Sequence, residues 1–489
     1  NCLRKTMSTK RQEILTQPQV KKCLESLHGK FVFVPADKAA NNVIIVCKRY
    51  YIEMLCKELG LWPNTPSNGT YIQENMSSDE VINNHISFLT SLGFKEDDLS
   101  HKFPGFYWTP KLHKKPYGQR FIASSFDCTT KPLSKVLTRI LSAIKTKLCN
   151  LSSIIYNQSG VNEMWILKNS SELLRKMNNF YFPKITSIQT FDFSTLYTSI
   201  PHSKLKDRIH KLIYQTFLCK NGSRRYKYVV LNGDRTYFTN DDTTNGKKYT
   251  ENVICQMLDF LIDNIYIKVG SSLFRQCIGI PMGTNCAPLL ADLFLYSYEV
   301  EFLTSLRTTN KRLAKSFNLT DRYIDDLINI NNPRFKDFLK DIYPEELVIK
   351  ETSKPRRPVE YLDLNLDISS GDLVCSIFDK RDYFNFHIVN FPHLSGNIPS
   401  APAYGTYISQ LIRYSRACHR YEDFASRHSA LAKRLVNQGF LPRKLMRTFY
   451  KFMGRYPELI SKYDKSPSSI ICDSIPMAQL FYTFPEMMK

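Results

Sequence analysis

The sequence predicts an α+β fold of antiparallel strands backed by helices, and three stretches carry that prediction. Residues 321–330 place Tyr323, Ile324, Leu327, Ile328 and Ile330, which favour a pleated, half-buried surface, around Asp325 and Asp326. Asp is depleted from strand interiors and accepted in turns, so this stretch reads as a β-hairpin with its acids at the tip. In residues 361–368, Leu362, Leu364, Leu366 and Ile368 alternate with Asp363, Asn365 and Asp367, a strand pattern that residues 369–372 turn into a second strand at 373–377. Residues 130–148 carry Leu133, Val136, Leu137, Ile140, Leu141 and Ile144 at helical spacing, with Lys131, Lys135, Arg139, Lys145 and Lys147 elsewhere on the turns.

The remaining elements follow in chain order. Residues 1–30 form a basic lead-in with short helical patterns at 11–15 and 20–27. Residues 31–38 and 42–47 read as two strands whose turn presents Lys38. A loop at 63–70 and a helix at 85–92 come next, and then Lys111, Lys114, Lys115 and Arg120 surround a turn that leads into a strand. A helix is expected near 164–177, and a strand at 187–193 with Asp192 near its end. The polar, charged stretch 219–250 reads as an insertion with a hairpin around Asn232 and Gly233. Gly279 and Gly283 bound a loop that lets backbone approach a ligand, and the helix after it begins near Thr284 or Asn285, either of which could cap it. The C-terminal part is helical and basic, with Arg413, Arg416, Arg420, Lys433, Arg434, Arg443, Lys444 and Arg447.

Composition narrows the class. At 489 residues, 43% hydrophobic and 23% charged, the chain is long enough for several cored subdomains and is not disordered. A formal charge of +22 implies a polyanionic partner or a membrane surface, and 13% aromatic residues add rings able to stack on bases, which together favour nucleic acid. Thirteen cysteines, an odd number without a Cys-x-x-Cys pair, argue against a disulfide framework or a zinc site and for a reducing compartment. The most apolar long stretch, 253–269, is interrupted by Gln256, Asp259, Asp263, Asn264 and Lys268, so no membrane anchor is expected. The first residue is Asn1, with no initiator Met or signal pattern, which points to a fragment or a processed piece.

The chemistry centres on the acids. Asp325 and Asp326 repel each other unless a metal ion or a basic partner relieves them; a solvated turn is the alternative. A divalent cation calls for a further carboxylate from a neighbouring strand, which Asp192 supplies, unless it serves as a helix cap.

Three ordered segments then resemble the A, B and C motifs of reverse transcriptases: Phe191, Asp192, Phe193 through Tyr197; Gly279, Ile280, Pro281, Met282 and Gly283 through Pro288; and Tyr323, Ile324, Asp325 and Asp326. With Pro35 to Lys38, Pro110 to Lys114, Phe191 to Pro201 and Glu360 to Asp363, the chain is similar over residues 30–420 to the reverse transcriptases of Penelope-like retroelements, relatives of telomerase reverse transcriptase. The resemblance implies a right-hand polymerase: a lead-in at 1–30, fingers at 31–185, a palm at 186–375 with the insertion at 219–250 and a primer-grip hairpin at 360–377, and a thumb and tail at 376–489.

It also implies the site. Asp192 and Asp325 would ligate two Mg2+ ions, or Mn2+ in their place, with the Phe193 carbonyl assisting and Asp326 a weaker partner. Lys38 and Arg120 would meet the triphosphate, Tyr197 would exclude a 2′-hydroxyl, and Pro281, Met282 and Gly283 would pack on the templating pair. Where the family's turn continues from Lys38 with glycines, this chain has Ala39 and Ala40. Lys111, Lys114, Arg413 and Arg416 would hold nucleic acid. Lys350, Lys354, Arg356 and Arg357 are equal candidates for protonating pyrophosphate.

The implied partners are an RNA template, a DNA primer or chromosomal 3′ end, and deoxynucleoside triphosphates, acting in the nucleus and not at a membrane. No GIY-YIG endonuclease is recognisable beyond Lys462 and no second acidic cluster suggests RNase H, so extension of exposed ends, dependence on breakage, or a truncated copy are the expected alternatives. The competing readings are a nucleic-acid-binding protein that no longer catalyses, which the three intact acids disfavour, and an RNA-templated RNA polymerase, which Tyr197 disfavours.

Overall fold

A computed structural model describes residues 17–63, 69–179, 184–218, 225–354, 357–369 and 371–475, apart from 387, 389, 392, 395 and 397. The helical pattern expected at 11–15 and the residue Arg356 lie outside them. The chain forms two compact units, one from Asn1–Tyr51, Pro110–Gly118 and Arg356–Lys489, the other from Ile52–Thr109 and Gln119–Pro355. That division splits the stretch 31–185 between the units.

The second unit is built on a four-stranded antiparallel sheet in the order Thr320–Tyr323, Asp326–Ile330, Ile188–Ser194, Val348–Glu351. Alternation gives the sheet two chemically distinct faces. Phe191, Phe193 and Leu327 join a core shared with the helices, whereas Asp192 and Asp326 lie on the opposite face, half-buried. Helix Lys131–Ser159 contributes Leu133, Leu137, Ile140, Leu141, Ile144 and Leu148 to that core, and helix Glu251–Asp263 contributes Ile254, Met257, Leu258, Leu261 and Ile262. Helix Ala287–Thr309 is buried on nearly every side, as its apolar circumference requires. Each such fully buried aliphatic side chain stabilises the fold by roughly 1.5–3 kcal/mol relative to exposure.

The stretch read as an insertion is a three-stranded sheet of Tyr228–Asn232, Arg235–Thr239 and Lys247–Tyr249, turning at Gly233 with φ +51°. Val229, Leu231 and Tyr249 enter the main core, and Arg139 donates to the carbonyls of Gly233 at 2.5 Å and Arg235 at 3.0 Å. It is therefore docked, not appended.

The first unit holds the hairpin Phe31–Ala36 and Ala39–Cys47, the three-stranded sheet Val359–Tyr361, Leu364–Asp367 and Val374–Ile377, and the helices Ser400–Ala417, Tyr421–Asn437, Pro442–Arg455 and Pro467–Ser474. Tyr407, Leu411, Phe424, Leu435 and Phe449 are buried among these helices, around the neutral ring of His428, whose Nε2 lies 2.6 Å from the Tyr407 hydroxyl. Burial pushes that imidazole down to about 3.

Four expectations change. The helix expected at 164–177 starts only at Ser170; Trp165 and Leu167 run extended beside the Thr320–Tyr323 strand, accepting from Arg322 N–H and donating to its carbonyl, each at 2.7 Å. The edge of the sheet is thereby covered, and that backbone pairing overrides local helical spacing. The strand expected at 361–368 is broken at Leu362, which takes φ +55°, so three strands stand where two were read. Neither Thr284 nor Asn285 caps its helix, which starts at Ala287 with Cys286 before it and Pro288 in its first turn. The helix read at 85–92 begins earlier, at Ser78, behind a reciprocal capping box between Ser77 and Glu80. Among the described residues, no helix is long and apolar enough to cross a membrane.

Candidate active site

The 321–330 hairpin turns at Ile324 and Asp325, with Tyr323 opposite Asp326. Asp326 in turn faces Asp192 across the next strand pair, and Asp192 faces Lys350 on its other side. Residues directly opposite in antiparallel strands share a face, so Tyr323, Asp326, Asp192 and Lys350 form one row across four strands. Asp325 stands beside this row in the turn, its carbonyl accepting from Phe193 N–H at 3.2 Å. Of the residues expected to be candidates for protonating pyrophosphate, Lys350 lies in this row, Lys354 follows the strand's end, and Arg357 belongs to the other unit.

The turn is strained. Ile324 takes φ +54°, a left-handed conformation that a β-branched residue avoids at a cost on the order of 1–3 kcal/mol. Beneath it lies a charge network that sequence reading missed. Arg322 is 0% exposed and donates through Nη1 to the Ile324 carbonyl at 2.9 Å. Its Nε reaches Glu299 Oε1 at 2.5 Å, and its Nη2 reaches Glu299 Oε2 at 3.2 Å. Asp292 accepts from it through the carboxylate at 3.1 Å and the main-chain carbonyl at 3.0 Å. Lys145 holds the other Asp292 oxygen at 2.8 Å, and the Tyr343 hydroxyl donates to Glu299 at 2.8 Å. Burial alone would lower the guanidinium's pKa, but Glu299 and then Asp292 hold it above its ordinary value. The available signal was Asp292 and Glu299, seven residues apart on one face of an apolar helix: buried acids demand a cation.

On the next row of the active face, Asp321 pairs with Lys176, and burial pushes its carboxyl up to about 6. Tyr197 sits half-buried in the short helix Leu196–Ser199; burial, then the nearby Asp325 carboxylate, push its phenol above the ordinary value. Its carbonyl accepts from Ile280 N–H at 2.6 Å, and the Ile200 carbonyl accepts from Gly279 N–H at 2.8 Å. His202 Nε2 donates to the Gly279 carbonyl at 2.7 Å. At its other end the loop meets the Gly118–Ser124 strand that carries Arg120: Ala123 N–H donates to the Met282 carbonyl at 3.1 Å, and the Ser125 hydroxyl to that of Gly283. A Cβ on Gly279 would strike the Tyr197 carbonyl, and one on Gly283 that of Ala123, and both residues have positive φ. Pro281 and Met282 are half-buried between these anchors, so the loop ties the Tyr197 helix to the Arg120 strand.

Lys38, Lys111 and Lys114 belong to the first unit. Lys38 stands in the two-residue turn between Ala36 and Ala39 with φ +66°, and Asp37 N–H is bonded to the Pro110 carbonyl at 3.0 Å, which brings that turn to the segment holding Lys111 and Lys114. Arg413 is engaged within the protein, its Nε donating to Asp363 at 2.9 Å, whereas Arg416 is exposed on the same helix.

The donor set on the sheet is all oxygen, which suits a hard cation such as Mg2+. Among the described residues no group of three or more His, Cys, Asp or Glu side chains is placed to hold a metal ion. Mg2+ does not need one, because it keeps water and substrate phosphates as ligands beside one or two carboxylates.

No protein-family model matches the chain, and no curated protein matches it. Its structure is similar to telomerase from Candida albicans in complex with the TWJ fragment of telomeric RNA, with TM-score 0.62 and 10% identity over 98% of this chain and 76% of that one. Telomerase from Candida tropicalis with the same kind of RNA fragment follows at TM-score 0.47 and 13% identity over 98% and 73%, and its apo form at 0.47 and 12% over 96% and 75%. At such identities the first likeness shows a shared fold: this α+β chain has the right-hand polymerase fold of a telomerase reverse transcriptase.

Proposed function

We propose that the chain is an RNA-directed DNA polymerase of a Penelope-like retroelement, which extends a DNA 3′ end on an RNA template in the nucleus. The observation that carries this reading is the placement of Asp192 opposite Asp326, with Asp325 in the adjoining turn and Tyr197 beside it, in a chain of telomerase-like fold.

Asp192, Asp325 and the Phe193 carbonyl would hold two Mg2+ ions, with Asp326 a weaker ligand, and such ions would supply acidification of the primer 3′-hydroxyl and charge balance for the leaving pyrophosphate. Lys350 would give that leaving group a proton, a reading supported by its pairing opposite Asp192. Arg120, with its planar fork, neutralises the triphosphate. The Tyr197 ring, kept neutral by burial and by the Asp325 anion, fills the space that a 2′-hydroxyl would need. The loop from Gly279 to Gly283 bonds both Tyr197, through Ile280, and the Arg120 strand, through Met282, so sugar choice and triphosphate capture share one support.

The test is extension of a DNA primer on RNA and DNA templates with deoxy- or ribonucleotides, in Mg2+ and then Mn2+, beside Asp325→Asn. Extension on RNA by the parent alone with deoxynucleotides is expected. Preference for ribonucleotides would favour an RNA polymerase, and binding of primer-template without extension in either metal would leave a binding protein.

A further inference from the structure

The two peptide carbonyls of the strained turn are both held by the protein. That of Ile324 accepts from Arg322, and that of Asp325 accepts from Phe193 N–H. The two anchors belong to one circuit. The Phe193 ring meets the Tyr343 ring edge to face at 4.9 Å between centroids. The Tyr343 hydroxyl donates to Glu299, Glu299 holds Arg322 by two bonds, and Arg322 closes the circuit at Ile324. Four segments contribute: the Asp192 strand, helix Ala287–Thr309, the hairpin itself and the chain at Tyr343.

A buried ion pair seldom adds stability over a well-packed apolar replacement, so stability alone does not account for placing a full charge under a catalytic turn. Geometry does. The guanidinium is a rigid fork, and here Nη1 reaches both the turn and the Asp292 carboxylate while the Nε–Nη2 edge is clamped by the Glu299 carboxylate; a lysine could carry the charge but not both directions. Without the Arg322 bond, Ile324 would have reason to leave its positive φ, and Asp325, the next residue, would swing with it.

We infer that Arg322 is a positioning residue, which through the circuit with Glu299, Tyr343 and Phe193 sets the Asp325 carboxylate beside Asp192 for divalent-cation binding. It acts on the ion only through Asp325. The inference rests on the proposed function for its catalytic consequence, though not for its structural one.

Arg322→Lys keeps the charge, and Tyr343→Phe keeps the ring while removing one donor. Both are compared with the parent by hydrogen exchange of the peptide spanning the turn, by Mn2+ binding read from electron paramagnetic resonance, and by primer extension. Circular dichroism and primer-template affinity serve as folding controls. Faster exchange confined to the turn is expected in both variants, with Mn2+ affinity and extension rate falling about 10–100-fold for Arg322→Lys and less for Tyr343→Phe, as for residues that orient metal ligands. The KM for deoxynucleotide should stay within about twofold, because this loss is not one of uniform substrate binding. Parental turn exchange and Mn2+ affinity in a folded Arg322→Lys protein would overturn the inference, and so would a parent that binds no Mn2+. A parent that binds Mn2+ but extends no primer would instead sink the proposed function. Should Arg322→Lys fail to fold, Tyr343→Phe decides by the same readouts.

Discussion

The turn at Ile324 and Asp325 and the turn at Asp37 and Lys38 share one covalent form: two residues between antiparallel strands, one of them a non-glycine residue at positive φ. Their surroundings differ. The first lies over a guanidinium that is 0% exposed, in a four-stranded sheet with a helical core on one face. The second ends a two-stranded hairpin in which Val43 is 66% and Ile45 56% exposed, and Asp37 N–H bonds the Pro110 carbonyl beside buried Val34, Ala36 and Ala39. On the proposed reading the first turn carries an ion ligand, which tolerates errors of tenths of an ångström, and the second a residue that meets an arriving substrate and tolerates more, so rigidity would be concentrated where geometry is demanding.

Substitutions at the two turns should separate these roles, and the largest effect is catalytic. Asp325→Asn should lower extension on the order of 10^4-fold with the KM for nucleotide little changed, because on the proposed reading the carboxylate acts in the transition state. With Lys38 at the triphosphate, as the resemblance implies, Lys38→Ala should cost about 10–100-fold in kcat/KM, mostly through KM. Equal losses at both positions, measured by steady-state kinetics, would erase the distinction.

Stability should divide in the same way. Glu299→Leu leaves Arg322 buried with only part of its counter-charge and should destabilise the chain by about 3–5 kcal/mol in urea unfolding. Ile45→Thr, on the exposed hairpin face, should stay within about 0.5 kcal/mol.

The smallest effect is in pH. Asp321 has a folded-state pKa of about 6, above its ordinary 3.8. A carboxyl raised on folding binds more protons folded than unfolded, so its contribution is fully present below pH 3.8 and is lost as pH rises to about 6. Asp321→Asn should remove that slope and leave the chain more stable than the parent above pH 6, as denaturation midpoints across pH 4–7 would report.

Much of the site was legible because its signals are local. An acid pair among strand formers calls for a turn, and the structure places Asp325 in that turn and Asp326 at the start of the next strand. The glycines at 279 and 283 signalled close backbone approach, and the carbonyls of Tyr197 and Ala123 are what they approach. The circuit under the turn was not legible, because Arg322, Glu299 and Tyr343 meet only through tertiary packing. The extended run at Trp165 was misread for a related reason: it pairs with Arg322 far along the chain, and single-sequence periodicity cannot weigh such a pairing. Leu362 was misread as mid-strand because nothing in a leucine announces positive φ.

The row of Tyr323, Asp326, Asp192 and Lys350 also has a phase. A strand has two faces, so losing or gaining one residue between Ile188 and Asp192 would turn Asp192 toward the apolar core and bring a phenylalanine to the position opposite Lys350. Every residue would keep its identity while the chemistry vanished. Length between fixed points is therefore part of what this strand encodes, and single-residue insertions should be lethal there yet tolerated in the exposed 241–246 loop.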